Sequence, residues 1–288
     1  MKASKILVTG SSGQLGSELK DIWPSNESVE MIFLDRQGLD LAQPELIQSI
    51  LETYRPDIII HSAAFTAVDL AETEVDLANK VNHLSTLEIA KYAESNDCKL
   101  IYISTDYVFQ GNVDQALDEH YPTDPINVYG DTKRKGELAI ELHCPDAIII
   151  RTAWVYSTFG KNFVKTMLNL MNSRDEISVV SDQIGTPTYA RDLAELIKHI
   201  VESGNWVPGI YHYSNEGRIS WYDFAVKIRD TCDLDCRINP IPSSSFPTPA
   251  KRPHFSLLNK EKVRRTFGVD VPQWENSLEN MLGKLSAQ

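Results

Sequence analysis

Through its first half the chain alternates short, β-branched apolar runs with longer stretches of helical spacing, and that rhythm leaves few folds open. Lys5–Thr9, Met31–Leu34, Asp57–His61, Lys99–Ile103 and Ala147–Ile150 are brief and bounded by polar residues, as strands buried on both faces must be. Between them, Gln14–Ile22, Pro44–Tyr54, Val75–Ser95 and Gly130–His143 repeat their apolar residues every third or fourth position. Strand-helix alternation of this kind predicts an α/β fold, a Rossmann-type doubly wound parallel sheet. After about residue 154 the rhythm changes. Phe159–Asn172 and Tyr189–Glu202 still read as helices, Ile177–Val180 and Ile210–Tyr213 as strands, and Trp221–Thr231 and Gln273–Leu285 as terminal helices. Asn239–Pro253 holds five prolines and three consecutive serines, and reads as a loop.

The segment Thr9-Gly10-Ser11-Ser12-Gly13-Gln14-Leu15-Gly16 directly follows the first strand and opens the first helix. Gly10 and Gly13 let the backbone turn tightly and approach a pyrophosphate; Gly16 lets helix and strand pack closely, and the helix N-terminus favours the anion. Asp35 ends the second strand, where an acid can bind the adenosine ribose hydroxyls. It favours NAD by repelling a 2′-phosphate, whereas the adjacent Arg36 can receive one, so NADPH and NADH both stay open. Asp40 and Leu41 could flank the adenine, or serve only as a cap and a core residue. The expected division is a dinucleotide-binding domain over 1–153, rejoined by 189–212, and a smaller C-terminal α/β substrate-binding lobe from 154–188 and 213–288.

Tyr129 and Lys133 lie four apart in a predicted helix, hence on one face, one turn apart. An ammonium near a phenol is expected to lower the phenol's pKa and ease proton exchange near neutral pH. Before them, Ser104-Thr105-Asp106-Tyr107 follows the fourth strand, at the end of the sheet where doubly wound folds place ligands. A hydroxyl there can bond a substrate carbonyl, or merely satisfy a turn.

With 28 Lys and Arg against 40 Asp and Glu, the net charge is -12, which argues against nucleic acid or an anionic membrane as partner. Lys251-Arg252 is a local basic pair that could still meet a small anion. Cys98, Cys144, Cys232 and Cys236 are scattered, complete no zinc pattern, and read as reduced core thiols. Met1–Lys5 is basic, but Ile6-Leu7-Val8 is too short for a signal-peptide apolar region. No run approaches the roughly 18 apolar residues that span a bilayer. A cytoplasmic protein is expected.

Together these residues resemble the extended short-chain dehydrogenase/reductase superfamily, in which a glycine loop, an asparagine matching Asn82, a Ser-Thr run and a Tyr-x-x-x-Lys pair recur in this order. More narrowly, the chain is similar to the dTDP-4-dehydrorhamnose reductase family, through Gly13–Gly16, Ala63–Asp69, Ser104–Phe109, Asn127–Lys133, Arg151–Tyr156, Gly160–Met167, Asp182–Thr188, Pro247–Pro253 and Pro272–Trp274. The resemblance implies NADPH- or NADH-dependent reduction of the C4 ketone of dTDP-4-dehydro-L-rhamnose to dTDP-L-rhamnose, within nucleotide-sugar biosynthesis for cell-surface polysaccharide. It implies Thr105, Tyr129 and Lys133 as the catalytic set. It places Gly10, Gln14, Leu15, Asp35, Asp40, Leu41, Ala63, Ala64, Thr66 and Asn82 around the cofactor. Val68, Thr105, Asp106, Tyr107 and Trp154 would contact the sugar, with Arg252 of the Pro249–Pro253 loop near the nucleotide end; a tryptophan after a strand is otherwise a core residue.

Some members of that family form dimers bridged by a metal held on carboxylates. Glu18 matches one position, but Arg191 stands where another such carboxylate would be, so no structural metal is expected; a homodimer stays open. Two rival readings also stay open: another nucleotide-sugar reductase or epimerase, and a non-catalytic regulatory subunit of the methionine adenosyltransferase type. Dehydratases use an Asp-Glu pair, whereas Asp106 precedes a tyrosine. Thr105, Tyr129 and Lys133 present as a set argue against a pure binding role.

Overall fold

Among the described residues six parallel strands pair in one sheet, and the chain passes between them through helices, because parallel neighbours cannot be joined by a tight turn. The computed structural model describes residues 3–287; Met1, Lys2 and Gln288, at the basic start and the outer ends of the expected division, lie outside it. The first half runs β1 (Ser4–Thr9), α1 (Gln14–Ile22), β2 (Val29–Leu34), α2 (Ile47–Tyr54) and β3 (Ile58–His61). It continues with α3 (Val68–Ala71), α4 (Val75–Asn79), α5 (Ser85–Ser95), β4 (Lys99–Thr105), α6 (Val128–His143) and β5 (Ile148–Thr152). Beyond it come β6 (Val155–Tyr156), α7 (Phe163–Ser173), β7 (Glu176–Val180), β8 (Ile184–Gly185), β9 (Thr188–Tyr189), α8 (Ala190–Ser203) and β10 (Gly209–His212). The last elements are β11 (Ile219–Ser220), α9 (Trp221–Thr231), β12 (Arg237–Ile241), α10 (Glu261–Phe267) and α11 (Trp274–Ser286).

The sheet order is β10-β5-β4-β3-β1-β2. The chain therefore steps outward from β1 to β2, then reverses to β3 on the other side. That reversal opens a crevice at the carboxyl ends of β1 and β3, the position where doubly wound sheets bind ligands. Ile6, Val8, Ile60, Ile101 and Ile150 bury one face of the sheet against Leu15, Leu19, Leu193 and Ile197 of α1 and α8. Leu7, Ile59, Leu100, Tyr102 and Ile149 bury the other against α2, α5 and α6. Both faces are covered, which is why the strands carry continuous β-branched runs instead of alternation. A further apolar cluster joins Tyr156, Val164, Met167, Ile177, Phe224, Ile238 and Leu278 beyond the sheet.

Several elements differ from expectation, each for a local reason. Val75–Ser95 is not one helix: a π-turn at Lys80–Leu84 separates α4 from α5, widening the coil where Asn82 turns inward to bond Phe65. The first turn of Pro44–Tyr54 is a 3-10 turn at Pro44–Leu46. The helix expected from Phe159 starts only at Phe163, because Gly160 adopts φ +65° and the Asn162 side chain caps the Lys165 N–H. The segment expected to be a loop from Asn239 begins as the end of β12, where Pro240 pairs opposite Val179 in a two-stranded ladder. Proline is tolerated there because the strand is an edge. β4 runs two residues further than expected and carries Ser104 and Thr105 itself.

Candidate active site

The crevice holds a cleft of 720 Å³. Its first wall is the glycine turn. Gly10 has φ +72°, and a Cβ there would lie 2.8 Å from Ala63 Cα, so glycine alone lets the β1 and β3 turns close together. A Cβ on Gly16 would collide with the Gly10 carbonyl oxygen. The turn thus exposes backbone N–H groups at the start of α1, a cradle shaped for a pyrophosphate.

Gly10, Gly13, Gln14, Leu15, Gly16, Asp35, Arg36, Asp40, Leu41, Ala63, Ala64 and Thr66 all line the cleft. Asp35 Oδ1 accepts from the Gln37 and Gly38 N–H groups, fixing the turn after β2. Asp40 lines the cleft and accepts from Ala42 N at 3.1 Å, with Arg36 Nε 3.6 Å away. Leu41 likewise lines the cleft while buried in the core. Asn82 does not reach the cleft. Its amide accepts from Phe65 N at 2.8 Å and donates to Thr132 Oγ1 at 3.1 Å, tying the floor of the cleft to α6.

Val68, Thr105, Asp106, Tyr107, Tyr129, Lys133 and Trp154 converge at the other end. α6 presents Tyr129 and Lys133 inward because its glycines admit close neighbours: a Cβ on Gly136 would meet Asn82 O at 2.5 Å and Tyr102 Oη at 2.6 Å. Lys133 Nζ donates to Ile103 O at 2.7 Å and sits 4.0 Å from the Tyr102 ring centre. Thr105 Oγ1 donates to Asp106 Oδ1 at 3.1 Å and accepts from Tyr107 N. The Tyr107 and Tyr129 rings meet edge to face, 5.5 Å apart.

The electrostatics correct the expectation of a lowered phenol pKa. Burial pushes Tyr129 up to about 12, opposed by hydrogen bonding from Thr105, with the Asp106 charge adding to the rise. Burial also pulls Lys133 down to about 7, against the pull of Glu137. Desolvation penalises both charged forms and is the largest cause at each. Burial likewise lifts Asp106 to about 6, although Ser256 and Thr105 bond its carboxylate.

Trp154 is not simply a core residue. It lines the cleft with φ +48°, and its ring stacks on Trp221 at 3.7 Å with planes 16° apart. A non-glycine residue in this region is held there by its surroundings. Here those are Trp221 on one face and Gly185 beside it, whose added Cβ would stand 3.0 Å from Trp154 Cζ2. Arg252 is not brought to the cleft. Nη1 and Nη2 donate to the two Asp69 oxygens at 3.0 and 2.8 Å, fastening its loop to α3. Arg191 occupies the surroundings of Glu18, with Nη1 3.4 Å from Glu18 and 2.5 Å from Asp21, and Nε 3.6 Å from Glu195. Among the described residues no three His, Cys, Asp or Glu side chains cluster as a metal site. All four cysteines are free, and burial pushes Cys98 to about 12 and Cys144 to about 11, far from a reactive thiolate.

Gly160 and Lys161 also line the cleft, and so does Val155, none of which was assigned a role from sequence. Gly160 lies inside a stretch whose spacing predicts a helix, and its interruption of the apolar period is the one local mark of the turn.

A doubly wound sheet with a glycine turn at its switch point, and a buried tyrosine-lysine pair beside a strand-end threonine, defines an oxidoreductase of the extended short-chain dehydrogenase/reductase class. The family model described as the RmlD substrate binding domain matches residues 4–287. The chain belongs to this family, that of the dTDP-4-dehydrorhamnose reductases. It is 38% identical to the dTDP-4-dehydrorhamnose reductase of Aggregatibacter actinomycetemcomitans, over 96% of this chain and 98% of that one. It is 39% identical to the enzyme of the same name from Escherichia coli K12, over 97% of each. Its fold superposes on the crystal structure of dTDP-4-dehydrorhamnose reductase from Bacillus anthracis in complex with NADP, with a TM-score of 0.93, 38% identity, and coverage of 98% and 99%.

Proposed function

We infer that the protein reduces the C4 ketone of dTDP-4-dehydro-L-rhamnose to dTDP-L-rhamnose, using NADPH or NADH. The observation that carries this is the convergence of Thr105, Tyr129 and Lys133 at the end of a glycine-lined crevice, in a chain of this family. The cradle fits a dinucleotide: Gly10 and Gly16 let the β1 turn close on the β3 turn and on α1, which a Cβ at either would prevent. A reduced nicotinamide bound there supplies the hydride for C4.

The chain's own residues supply the rest. Tyr129, held protonated by burial, donates its phenolic proton to the oxygen that develops charge at C4. Thr105, held by the Tyr107 N–H that its oxygen accepts, turns its single hydroxyl proton from Asp106 to the same oxygen. Lys133, which lines the cleft one turn along α6 from Tyr129, would hold the nicotinamide-side ribose. Val68, Asp106, Tyr107 and Trp154 line the sugar's place. Arg252, paired with Asp69, fastens the 246–253 segment to α3. We assign 1–153 with 189–212 to cofactor binding, and 154–188 with 213–288 to the substrate. No helix among the described residues is long and apolar enough to cross a membrane. The free thiols suit a reducing compartment, so we propose the cytoplasm, and a homodimer as the assembly to check by sedimentation.

The test is a nicotinamide absorbance assay with dTDP-4-keto-6-deoxyglucose, the upstream 3,5-epimerase, and NADPH or NADH separately. Stoichiometric loss of reduced cofactor with formation of dTDP-L-rhamnose is expected. An epimerase or dehydratase regenerates its cofactor, so product formation with no net loss would overturn the assignment. No turnover of any ketosugar, with capture of a synthetase partner, would favour the regulatory-subunit reading.

A further inference from the structure

The cleft must receive an anionic dinucleotide, yet its lining is not basic. Three cations line it, Arg36, Lys133 and Lys161, against three carboxylates, Asp35, Asp40 and Asp106. Two of these cations are committed. Arg36 follows β2 and lies 3.6 Å from Asp40, at the end expected to hold the adenosine. Lys133 is buried at the opposite end against Ile103 O. Lys161 is exposed and makes no hydrogen bond or ion pair with any described residue.

Its place is set by a loop stitched onto the start of α1. Gln14 Nε2 donates to Val155 O at 3.2 Å, and Asn162 Nδ2 donates to Gln14 Oε1 at 3.0 Å and to Ser157 O at 2.7 Å. Ser157 Oγ donates to Glu18 Oε1 at 2.6 Å, one turn further along α1. Lys165 Nζ braces the loop from below through Thr158 O at 2.8 Å. Gly160, at φ +65°, brings the backbone against Gln14: a Cβ there would stand 3.2 Å from Gln14 Cγ. The residue after Gly160 is thereby carried to the N-terminus of α1, opposite the glycine turn. That turn, Gly10-Ser11-Ser12-Gly13-Gln14, contains no cation of its own.

We propose that Lys161 closes over the cofactor's pyrophosphate from the side opposite the glycine turn, making a segment outside the cofactor-binding half part of the dinucleotide site. The glycine turn contributes backbone dipoles, and Lys161, the one uncommitted cation among the described residues of the cleft, contributes the full charge. This rests on the dinucleotide reading of the cleft and is independent of which sugar is reduced.

The test measures binding, not turnover. NADPH is titrated by quenching of tryptophan fluorescence, and ADP and adenosine are then used as competitors. Adenosine shares the base and ribose but lacks the diphosphate. Lys161→Gln should weaken NADPH and ADP by about 10-fold, as loss of one charge-assisted contact does. It should also flatten the salt dependence of their affinity and leave adenosine unchanged. Lys161→Glu should weaken both diphosphates further, and Lys161→Arg should restore them. The side chain is solvent-exposed and unbonded, so all three variants should unfold at the wild-type urea midpoint. Unchanged ADP affinity in the Gln and Glu variants would overturn the proposal. So would an equal loss for adenosine, or weakening of the nucleotide sugar alone. Wild-type protein that binds neither ADP nor NADPH would instead refute the dinucleotide reading itself.

Discussion

At Tyr129 burial and the Asp106 charge act together against the hydrogen bond from Thr105, and burial decides the outcome. A phenol at about 12 is a poor base but a secure proton donor, and a developing alkoxide needs a donor. Removing a positioned acid costs about 10²–10⁴ in rate. Tyr129→Phe should therefore lower kcat by that factor while the Kd for NADPH is unchanged; equal kcat would remove Tyr129 from the reaction. Lys133, drawn down to about 7, carries its proton only part of the time near neutral pH in the free protein. An anionic cofactor placed beside it favours the charged form. NADPH binding near pH 7 to 8 should thus take up protons and strengthen as pH falls. Calorimetry in buffers of different ionisation enthalpy reads the uptake, which Lys133→Met should abolish. The four-residue spacing of this pair was legible because a helix repeats locally. The pKa directions were not, since they follow from what the tertiary fold packs around each group.

At the scale of an element, α6 binds the site to the sheet. Tyr129, Lys133 and Glu137 succeed one another at four-residue intervals on its buried face. Arg151 of β5 donates to both Glu137 oxygens at 2.8 Å, fully enclosed, with its guanidinium 5.0 Å from the Phe109 ring. Removing one member of a buried pair leaves an uncompensated charge and costs about 3–5 kcal/mol, whereas replacing both by apolar residues can be near neutral. Glu137→Leu should lower unfolding stability by that amount in urea. Glu137→Leu with Arg151→Met should recover most of it, and a single variant costing under about 1 kcal/mol would show the pair is not what anchors α6. The helix itself was legible from its periodicity. Its partner was not, because no local pattern links Glu137 to Arg151. The π-turn at Lys80–Leu84 was hidden in the same way, inside an apolar period that reads as one helix.

Across the whole molecule, acid stability turns on buried imidazoles. His61 lies between Thr9 Oγ1 and Thr86 Oγ1 at 2.8 and 3.1 Å, and His212 lies beside Arg151; burial pulls both down to about 3. Below the usual 6.5 the unfolded chain takes up protons that these folded rings refuse, so stability falls steadily as pH drops from 6.5 towards 3. Asp106, raised to about 6, works in the opposite sense between 6 and 3.8, as do Glu18, Glu119 and Asp192, which burial also raises; Asp40 and Asp69, held low by hydrogen bonds, act with the histidines. Urea unfolding from pH 7 to 4 should show a falling midpoint, with a shallower slope in His212→Gln; a flat profile would refute the account.

The sequence by itself determined the doubly wound sheet, the glycine turn and the shared face of Tyr129 and Lys133, because strand burial, turn sterics and helical repeat are set by neighbours a few residues apart. The tertiary structure alone decided that Tyr129 is held protonated, that Asp69 claims Arg252, that Asn82 supports the cleft without entering it, and that Lys161 arrives at the first helix. Each depends on groups far apart in the chain, whose approach is fixed only when the core closes.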